Sequence, residues 1–118
     1  MYKFTGFTES ANNALNLSVT AYTWCASTNN KIDVTDYNVI KFKVKSIGYN
    51  SSYSNANIKL ICGPIKFAEF NYDTMFTITK DMDINKIFML DISNLTGLKY
   101  IYFGGYYANI SIESIWLE

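Results

Sequence analysis

Tyrosine and asparagine side chains are the groups in this sequence best suited to chemistry, and that chemistry is binding. Ten of the 118 residues are Tyr, and a Tyr ring offers a flat apolar face together with a hydroxyl for hydrogen bonding. Sugars are recognised through such groups, because their C–H faces stack on rings while Asn, Asp and Tyr side chains bond to their hydroxyls. The sequence therefore favours a carbohydrate-binding surface.

The polar segment 48–55 is the first candidate for this surface. It gives Tyr49 and Tyr53 no evident core to enter, so we expect both rings to be exposed. Asn50 and Asn55 lie in the same segment and are the amides expected to bond to a ligand.

Two further aromatic groups are the next candidates. Tyr106 and Tyr107 follow a Gly-Gly pair, and Tyr22 and Trp24 lie at the end of the first predicted strand. The alternative for every one of these rings is that it packs on a loop or at a sheet edge without binding anything.

Catalysis is disfavoured by composition. The chain contains no His, so it cannot form a Ser-His-Asp or Cys-His pair or a His metal site. A glycoside hydrolase needs two carboxylates held roughly 5 to 9.5 Å apart across a cleft, whereas the ten acids of this chain lie mostly beside turns or at strand ends. We therefore expect no enzymatic activity and no cofactor.

One acidic segment resembles part of a calcium loop. Asp81, Asp83 and Asn85 have the spacing of the first three ligands, D-x-D-x-N. The next residue is Lys86 where Gly is needed, and the twelfth position is Ile92 rather than Glu. The sequence thus predicts an acidic hairpin turn and no metal site.

Charge limits the partners. Ten Lys balance ten acidic residues, and Arg is absent, so a phosphate-binding groove or a basic membrane-binding face has little to be built from. We expect neither nucleic acid nor a membrane as partner. Lys41, Lys43 and Lys45 are better interpreted as the solvated face of a strand, or as a protected sheet edge, than as a phosphate track.

The two cysteines leave two alternatives open. Cys25 and Cys62 permit one disulfide. The other interpretation is that Cys62, in the apolar segment 58–62, is a small core residue, since a chain this apolar needs no covalent cross-link.

Alternation of apolar and polar residues predicts β-strands throughout the chain. Strands are indicated around 15–22, 40–45, 58–62, 76–79, 88–92 and 101–103. The residues expected to face the core are Ile40, Phe42, Val44, Phe88, Leu90, Ile92, Ile101 and Phe103.

The last segment changes its alternation. Ile110 and Ile112 are on even positions, whereas Ile115 and Leu117 are on odd ones. Because a shift of one residue turns side chains to the other face, we predict a β-bulge at Glu113-Ser114.

Turn signals separate the strands, and no helical period of useful length competes with them. The sequence therefore predicts one all-β domain over 1–118, an antiparallel two-sheet β-sandwich of the jelly-roll type with about eight strands.

Four segments, 37–46, 88–97, 100–104 and 110–117, resemble the galactose-binding-like jelly-roll modules of phage tail and baseplate proteins and of surface proteins in low-GC Gram-positive bacteria. The resemblance implies a location in a virion, outside the cell or at its surface, and a homotrimer, and it brings no catalytic residue with it. The abundance of Ile, Asn, Tyr, Lys and Phe agrees with coding by an AT-rich genome.

Two functions follow. The first is a non-catalytic module that binds a cell-surface glycan through loop aromatics and amides. The alternative is a structural domain whose aromatic face meets another tail or surface subunit, and an exposed apolar patch of several hundred Å² would favour it.

Overall fold

The computed structural model describes residues 2–3, 15–19 and 23–118, with side chains from residue 26 onward. The described part of the chain is all-β, as predicted, and contains no helix. Its strands are β1 (Tyr2–Lys3), β2 (Leu15–Val19), β3 (Thr23–Ser27), β4 (Ile32–Asp33), β5 (Val39–Tyr49), β6 (Asn57–Gly63), β7 (Thr74–Ile78), β8 (Ile87–Asp91), β9 (Leu98–Tyr106) and β10 (Ala108–Leu117).

The strands form two antiparallel sheets. The order in the first sheet is β2-β10-β5-β8, with β1 also pairing with β10, and the order in the second is β3-β9-β6-β7, with β4 also pairing with β9. Among the strands of five or more residues, each step along the chain changes sheet except the step from β6 to β7. This is the jelly-roll arrangement, so the predicted sandwich of about eight strands is confirmed.

The core lies between the sheets and contains the predicted residues. All eight are buried, and on β5 they alternate with lysines that point to the outer face. The Nζ atoms of Lys41 and Lys43 lie 3.2 Å and 3.1 Å from carboxylate oxygens of Glu118 and Glu113. The prediction that Lys41, Lys43 and Lys45 form the solvated face of a strand is therefore confirmed. The alternative that this strand is a sheet edge is wrong, because β5 lies between β10 and β8.

The predicted bulge is present in β10. Ile112 pairs with Val44 and Ser114 pairs with Lys43, so Glu113 is an extra residue without a partner in the ladder. Apolar side chains on both sides of it are buried, which explains the change of parity in the sequence.

The loop from 64 to 73 covers part of the outer face of the second sheet. The Tyr102 hydroxyl donates a hydrogen bond to the Ala68 carbonyl oxygen at 2.7 Å, and the Phe67 ring meets the Tyr102 ring edge-on at 5.9 Å. Tyr102 and Ile61 are fully buried although their parity points them away from the core.

Cys62 is a buried free thiol in the core, so the core interpretation is confirmed. Burial raises the pKa of this thiol to about 12. Cys25 lies in β3, and its side chain is outside the described residues.

The acidic segment connects the two sheets. It follows β7 and precedes β8, so it is a crossover and not the predicted hairpin. Met82 and Ile84 pack against the core, and an oxygen of Asp83 accepts a hydrogen bond from the Asn85 amide at 2.9 Å. Packing of Met82 and Ile84 against the core and the hydrogen bond to Asp83 therefore determine the path of the segment.

Candidate functional site

The loop between β5 and β6 meets the corner between β9 and β10 at one end of the sandwich. The Asn50 amide donates a hydrogen bond to the Tyr107 carbonyl oxygen at 3.0 Å. Within the loop, the Asn50 side-chain oxygen accepts from the Ser52 amide, and the Asn50 carbonyl accepts from the Tyr53 amide, both at 3.0 Å. Asn50 thus shapes the loop and attaches it to the corner.

The corner depends on Gly105. Tyr107 is the one residue between β9 and β10, and both it and Gly105 have positive φ, at 47° and 149°. A Cβ atom at Gly105 would lie 2.2 Å from the Asn57 carbonyl oxygen, which is far inside van der Waals contact. Only glycine therefore allows β9 to pass this close to β6 before the chain changes sheet.

Three tyrosines come together here, and we call Tyr53, Tyr106 and Tyr107 the tyrosine cluster. The rings of Tyr53 and Tyr107 are stacked with their centroids 3.5 Å apart and their planes at 4°. Tyr106 is perpendicular to both, with its centroid 4.7 Å from that of Tyr107 and 5.7 Å from that of Tyr53. These distances place Tyr106 beside the stack, at about a right angle to its axis, so Tyr106 does not cover the outer ring faces.

Hydrogen bonds hold the cluster in place. A hydrogen bond with Tyr53 raises the pKa of the Tyr107 hydroxyl above its ordinary value. The Lys80 ammonium donates a hydrogen bond to the Tyr53 carbonyl oxygen at 3.0 Å, which ties the loop to the β7–β8 crossover. The loop that carries Tyr53 is therefore held both by the corner and by the crossover.

Amide groups lie on the same loop and at the start of β6. Asn50 and Asn55 are exposed. The Asn57 side chain, which lies opposite Tyr106 in the strand register, donates to the Asn55 carbonyl oxygen at 2.9 Å. The site thus combines flat apolar faces with hydroxyl and amide groups.

The structure brings three of the predicted residues together but places Tyr49 differently. Tyr49 is the last residue of β5 and packs against the core, so the expectation that its ring is exposed is wrong, and the Tyr53 ring is only partly exposed. The reason is that β5 skips Lys45 in its pairing with β10, which turns Ile47 and Tyr49 inward. Burial raises the pKa of the Tyr49 hydroxyl.

Trp24 belongs to a strand that the sequence did not indicate. It lies within β3, not at the end of the first strand, and its backbone pairs with Gly104, two residues before Tyr106. The Trp24 side chain and Tyr22 lie outside the described residues, so their part in binding stays a prediction.

Two contributors to the site were missed. Asn57 is the first residue of β6, and its outward parity could have been read from the buried residues that follow it. Nothing in the local sequence indicates that Lys80 reaches the loop 27 residues earlier.

The described residues show neither of two other kinds of site. They contain no group of three or more His, Cys, Asp or Glu side chains placed to hold a metal ion. In the same ranges, no helix is long and apolar enough to cross a membrane. The aromatic rings at this end of the sandwich can stack against an apolar face of a ligand, and the hydroxyl and amide groups can form hydrogen bonds with its polar groups.

No family model, no curated protein and no solved structure matches this chain.

Proposed function

We propose that this protein is a non-catalytic module that binds cell-surface carbohydrate, and that the tyrosine cluster is its binding surface. The observation that carries the proposal is the parallel stack of Tyr53 and Tyr107 with Tyr106 at its side. A sugar ring presents C–H groups on one face, and such a face packs on an aromatic ring. The outer faces of the stack are the surfaces offered to it.

The cluster is preorganised for this role. The two stacked rings are in van der Waals contact and joined by a hydrogen bond, and the backbones that carry them are joined through Asn50. Ordering flexible side chains on binding weakens affinity by about 0.5 to 1.5 kcal/mol for each one. Rings that are already fixed avoid most of that loss.

The polar groups suit a neutral saccharide. Tyrosine hydroxyls and the exposed amides of Asn50 and Asn55 both donate and accept hydrogen bonds. The ammonium of Lys80, which reaches the loop, is engaged with the Tyr53 carbonyl. Because charge attraction contributes little, each site binds weakly, and useful strength comes from several copies on one particle.

The carrier of the module is proposed to be a phage tail or a bacterial surface protein of the galactose-binding-like kind. The jelly-roll strand order supports this assignment, and so does the abundance of amino acids that AT-rich genomes encode. Neighbouring holin, lysin or tail genes would place the chain in a virion.

The experiment is a binding assay with cell-wall polysaccharides purified from low-GC Gram-positive bacteria. We expect Tyr53→Ala and Tyr107→Ala to weaken binding by at least about tenfold, equivalent to roughly 1.4 kcal/mol. Tyr100→Ala is the matched control, because Tyr100 is a partly exposed ring on the same sheet, beside Lys31 and Lys66 and six residues before Tyr106.

Circular dichroism of each variant checks that the fold is retained. Folded Tyr53→Ala and Tyr107→Ala variants that bind like the parent would place the site elsewhere, with Trp24 the next residue to test. A parent protein that binds none of the polysaccharides would overturn the proposal of carbohydrate binding.

A further inference from the structure

The stack of Tyr53 and Tyr107 is closer and more nearly parallel than aromatic pairs in proteins usually are. Rings prefer offset or edge-to-face contacts with centroids about 4.5 to 7 Å apart, because the negative faces of two rings repel each other. The centroids of Tyr53 and Tyr107 lie 3.5 Å apart, with the ring planes at 4°. The surrounding chain therefore holds these rings in an arrangement that the rings alone do not favour.

The two rings overlie each other with little sideways offset. Carbon atoms in contact are about 3.5 to 4.0 Å apart, so a centroid separation of 3.5 Å does not allow parallel rings to be shifted far sideways. The hydrogen bond between the side chains of Tyr53 and Tyr107 places both hydroxyls at the same end of the stack. The Cε atoms, which flank the hydroxyl-bearing carbon of each ring, therefore face each other across the stack.

We infer that Tyr53 and Tyr107 form a site of oxidative cross-linking, in which a Cε–Cε bond joins the two rings as dityrosine. The oxidant is hydrogen peroxide, used by a haem peroxidase that removes one electron at a time. Each tyrosine gives up one electron and its hydroxyl proton and becomes a phenoxyl radical. The unpaired electron of a phenoxyl radical is shared with the Cε atoms, which are the atoms that the stack brings together.

The reaction balances in atoms and electrons. The two radicals combine to form one Cε–Cε bond, and each bonded Cε atom then loses its hydrogen as a proton while each oxygen regains one. Two Cε–H bonds are broken overall, and both rings become aromatic phenols again. The two electrons and two protons that leave the protein reduce one hydrogen peroxide to two molecules of water.

The stack is open to the oxidant, and two other oxidisable groups are less well placed. Tyr53 and Tyr107 are both partly exposed. Tyr106 contacts both rings but is perpendicular to them, at 84° and 86°, so its Cε atoms do not lie face to face with theirs. The thiol of Cys62, which could reduce a tyrosyl radical, is buried in the core.

The cross-link alters the binding surface, and this consequence rests on the proposed function. Two bonded carbon atoms are about 1.5 Å apart, so the rings cannot remain parallel at 3.5 Å once they are joined. They turn about the new bond, and the outer faces of the stack lose their positions. Ser52 and Ser54, on either side of Tyr53, are exposed, so core packing does not oppose this movement. Oxidation therefore switches the surface off.

Mass spectrometry tests the bond after dilute protein has been treated with a plant haem peroxidase and hydrogen peroxide. We expect the monomer to lose the mass of two hydrogen atoms and to acquire the fluorescence of a biphenol. Digestion with trypsin, which cuts after lysine, should release residues 46–59 joined to residues 100–118. Oxidation of methionine adds an oxygen atom and is therefore separated by mass.

Single substitutions locate the bond within these fragments. Tyr53→Phe and Tyr107→Phe keep the ring but cannot form a phenoxyl radical, so each should abolish the joined fragments. Tyr49→Phe is the matched control, because Tyr49 lies in the same fragment as Tyr53 but packs against the core. Joined fragments that persist in Tyr107→Phe and disappear in Tyr106→Phe would overturn the proposal. An equal yield from the chain unfolded in urea would do the same, since the fold would then not bring the rings together.

Polysaccharide binding by the purified cross-linked monomer tests the consequence. We expect its Kd to be at least about tenfold higher than that of the untreated parent. Peroxidase-treated Tyr53→Phe experiences the same oxidant without forming the bond, so treatment should not change the Kd of this variant. A cross-linked monomer that binds like the parent would overturn the switch and keep the proposed function. An untreated parent that binds no polysaccharide would overturn the proposed function, whereas the joined fragments would still establish the cross-link.

Discussion

Two aromatic clusters in this molecule are built in different ways. In the core, the Phe42 ring stacks on Phe88 at 5.3 Å, while Phe76 and Phe103 meet Phe42 edge-on at 6.0 Å and 6.2 Å. These four rings come from four strands of both sheets, each at an inward position. At the end of the sandwich, the rings of the tyrosine cluster come from a loop, a strand end and a corner.

Because of this difference, the core cluster contributes mainly to stability, whereas the tyrosine cluster is free to contribute to recognition. Burying a Phe side chain stabilises a fold by about 1.5 to 3 kcal/mol, and Phe42, Phe88 and Phe103 are almost completely buried. The three rings of the tyrosine cluster are partly exposed, and unlike the Phe rings they carry hydroxyl groups that can form hydrogen bonds. The site can therefore be changed by substitution with little effect on the core that supports it.

Phe42→Ala should have the largest effect. It removes the central ring of the core cluster and leaves a cavity, so we expect a loss of about 3 to 5 kcal/mol in the free energy of unfolding. Tyr53→Ala, measured by the same urea denaturation, should lose less than about 1.5 kcal/mol because its ring is partly exposed. Equal losses would remove the distinction between the two clusters.

Gly105→Ala should have the next largest effect, because it acts on the corner that carries the tyrosine cluster. A methyl group there clashes with the Asn57 carbonyl, and we expect about 2 kcal/mol of destabilisation together with weaker polysaccharide binding. Gly97→Ala is the control, since Gly97 also has positive φ, at 85°, but nothing lies within 4 Å of an added Cβ. A smaller loss at Gly105 than at Gly97 would contradict the close approach.

The core was predictable from sequence because it depends on period alone. Ile40, Phe42 and Val44 alternate with lysines, and a buried face selects one parity. The same rule located the bulge, since the change of parity around Glu113 has no other simple cause. β3 was missed because the segment Thr23–Ser27 has no apolar-polar alternation.

The site was predictable only in part, because it depends on loop geometry. Tyr106 and Tyr107 were singled out as aromatic residues after a Gly-Gly pair, but nothing in the sequence indicated that Tyr107 would stack on Tyr53, 54 residues earlier. Tyr49 was misplaced because the skipped Lys45 is a property of the pairing with β10 and not of β5 itself. The burial of Tyr102 also depends on the path of a loop, which covers this outward-pointing side chain.

Alkaline pH should reduce stability through two buried groups, Tyr102 under the loop from 64 to 73 and Cys62 in the core. Burial raises the pKa of Tyr102 from 10.0 to about 12, and that of Cys62 from 9.0 to about 12. Both groups stay neutral in the folded state while the unfolded chain ionises. Stability is therefore full below about pH 9 and falls as pH rises from there to about 12.

Urea midpoints between pH 8 and 11 measure this fall. Tyr102→Phe should be less stable at pH 8, since it loses the hydrogen bond to Ala68, but its midpoint should fall less steeply with pH. The pKa of Tyr107 is raised for a different reason, because its first cause is a hydrogen bond with Tyr53 and not burial. An unchanged slope in Tyr102→Phe would show that other groups govern the alkaline transition.

The smallest expected effect is that of salt on polysaccharide binding. Ring stacking and amide hydrogen bonds involve no net charge, and exposed charges are screened beyond roughly 10 Å at 0.1 M salt. Raising NaCl from roughly 0.05 to 0.5 M should therefore change Kd by less than about twofold. Lys80→Gln should keep this weak dependence, since the ammonium of Lys80 is engaged with the Tyr53 carbonyl. A Kd that rises severalfold with salt, and a further loss in Lys41→Gln, would instead mean that the lysines on the outer face of β5 hold an anionic polymer and that the rings do not carry the affinity.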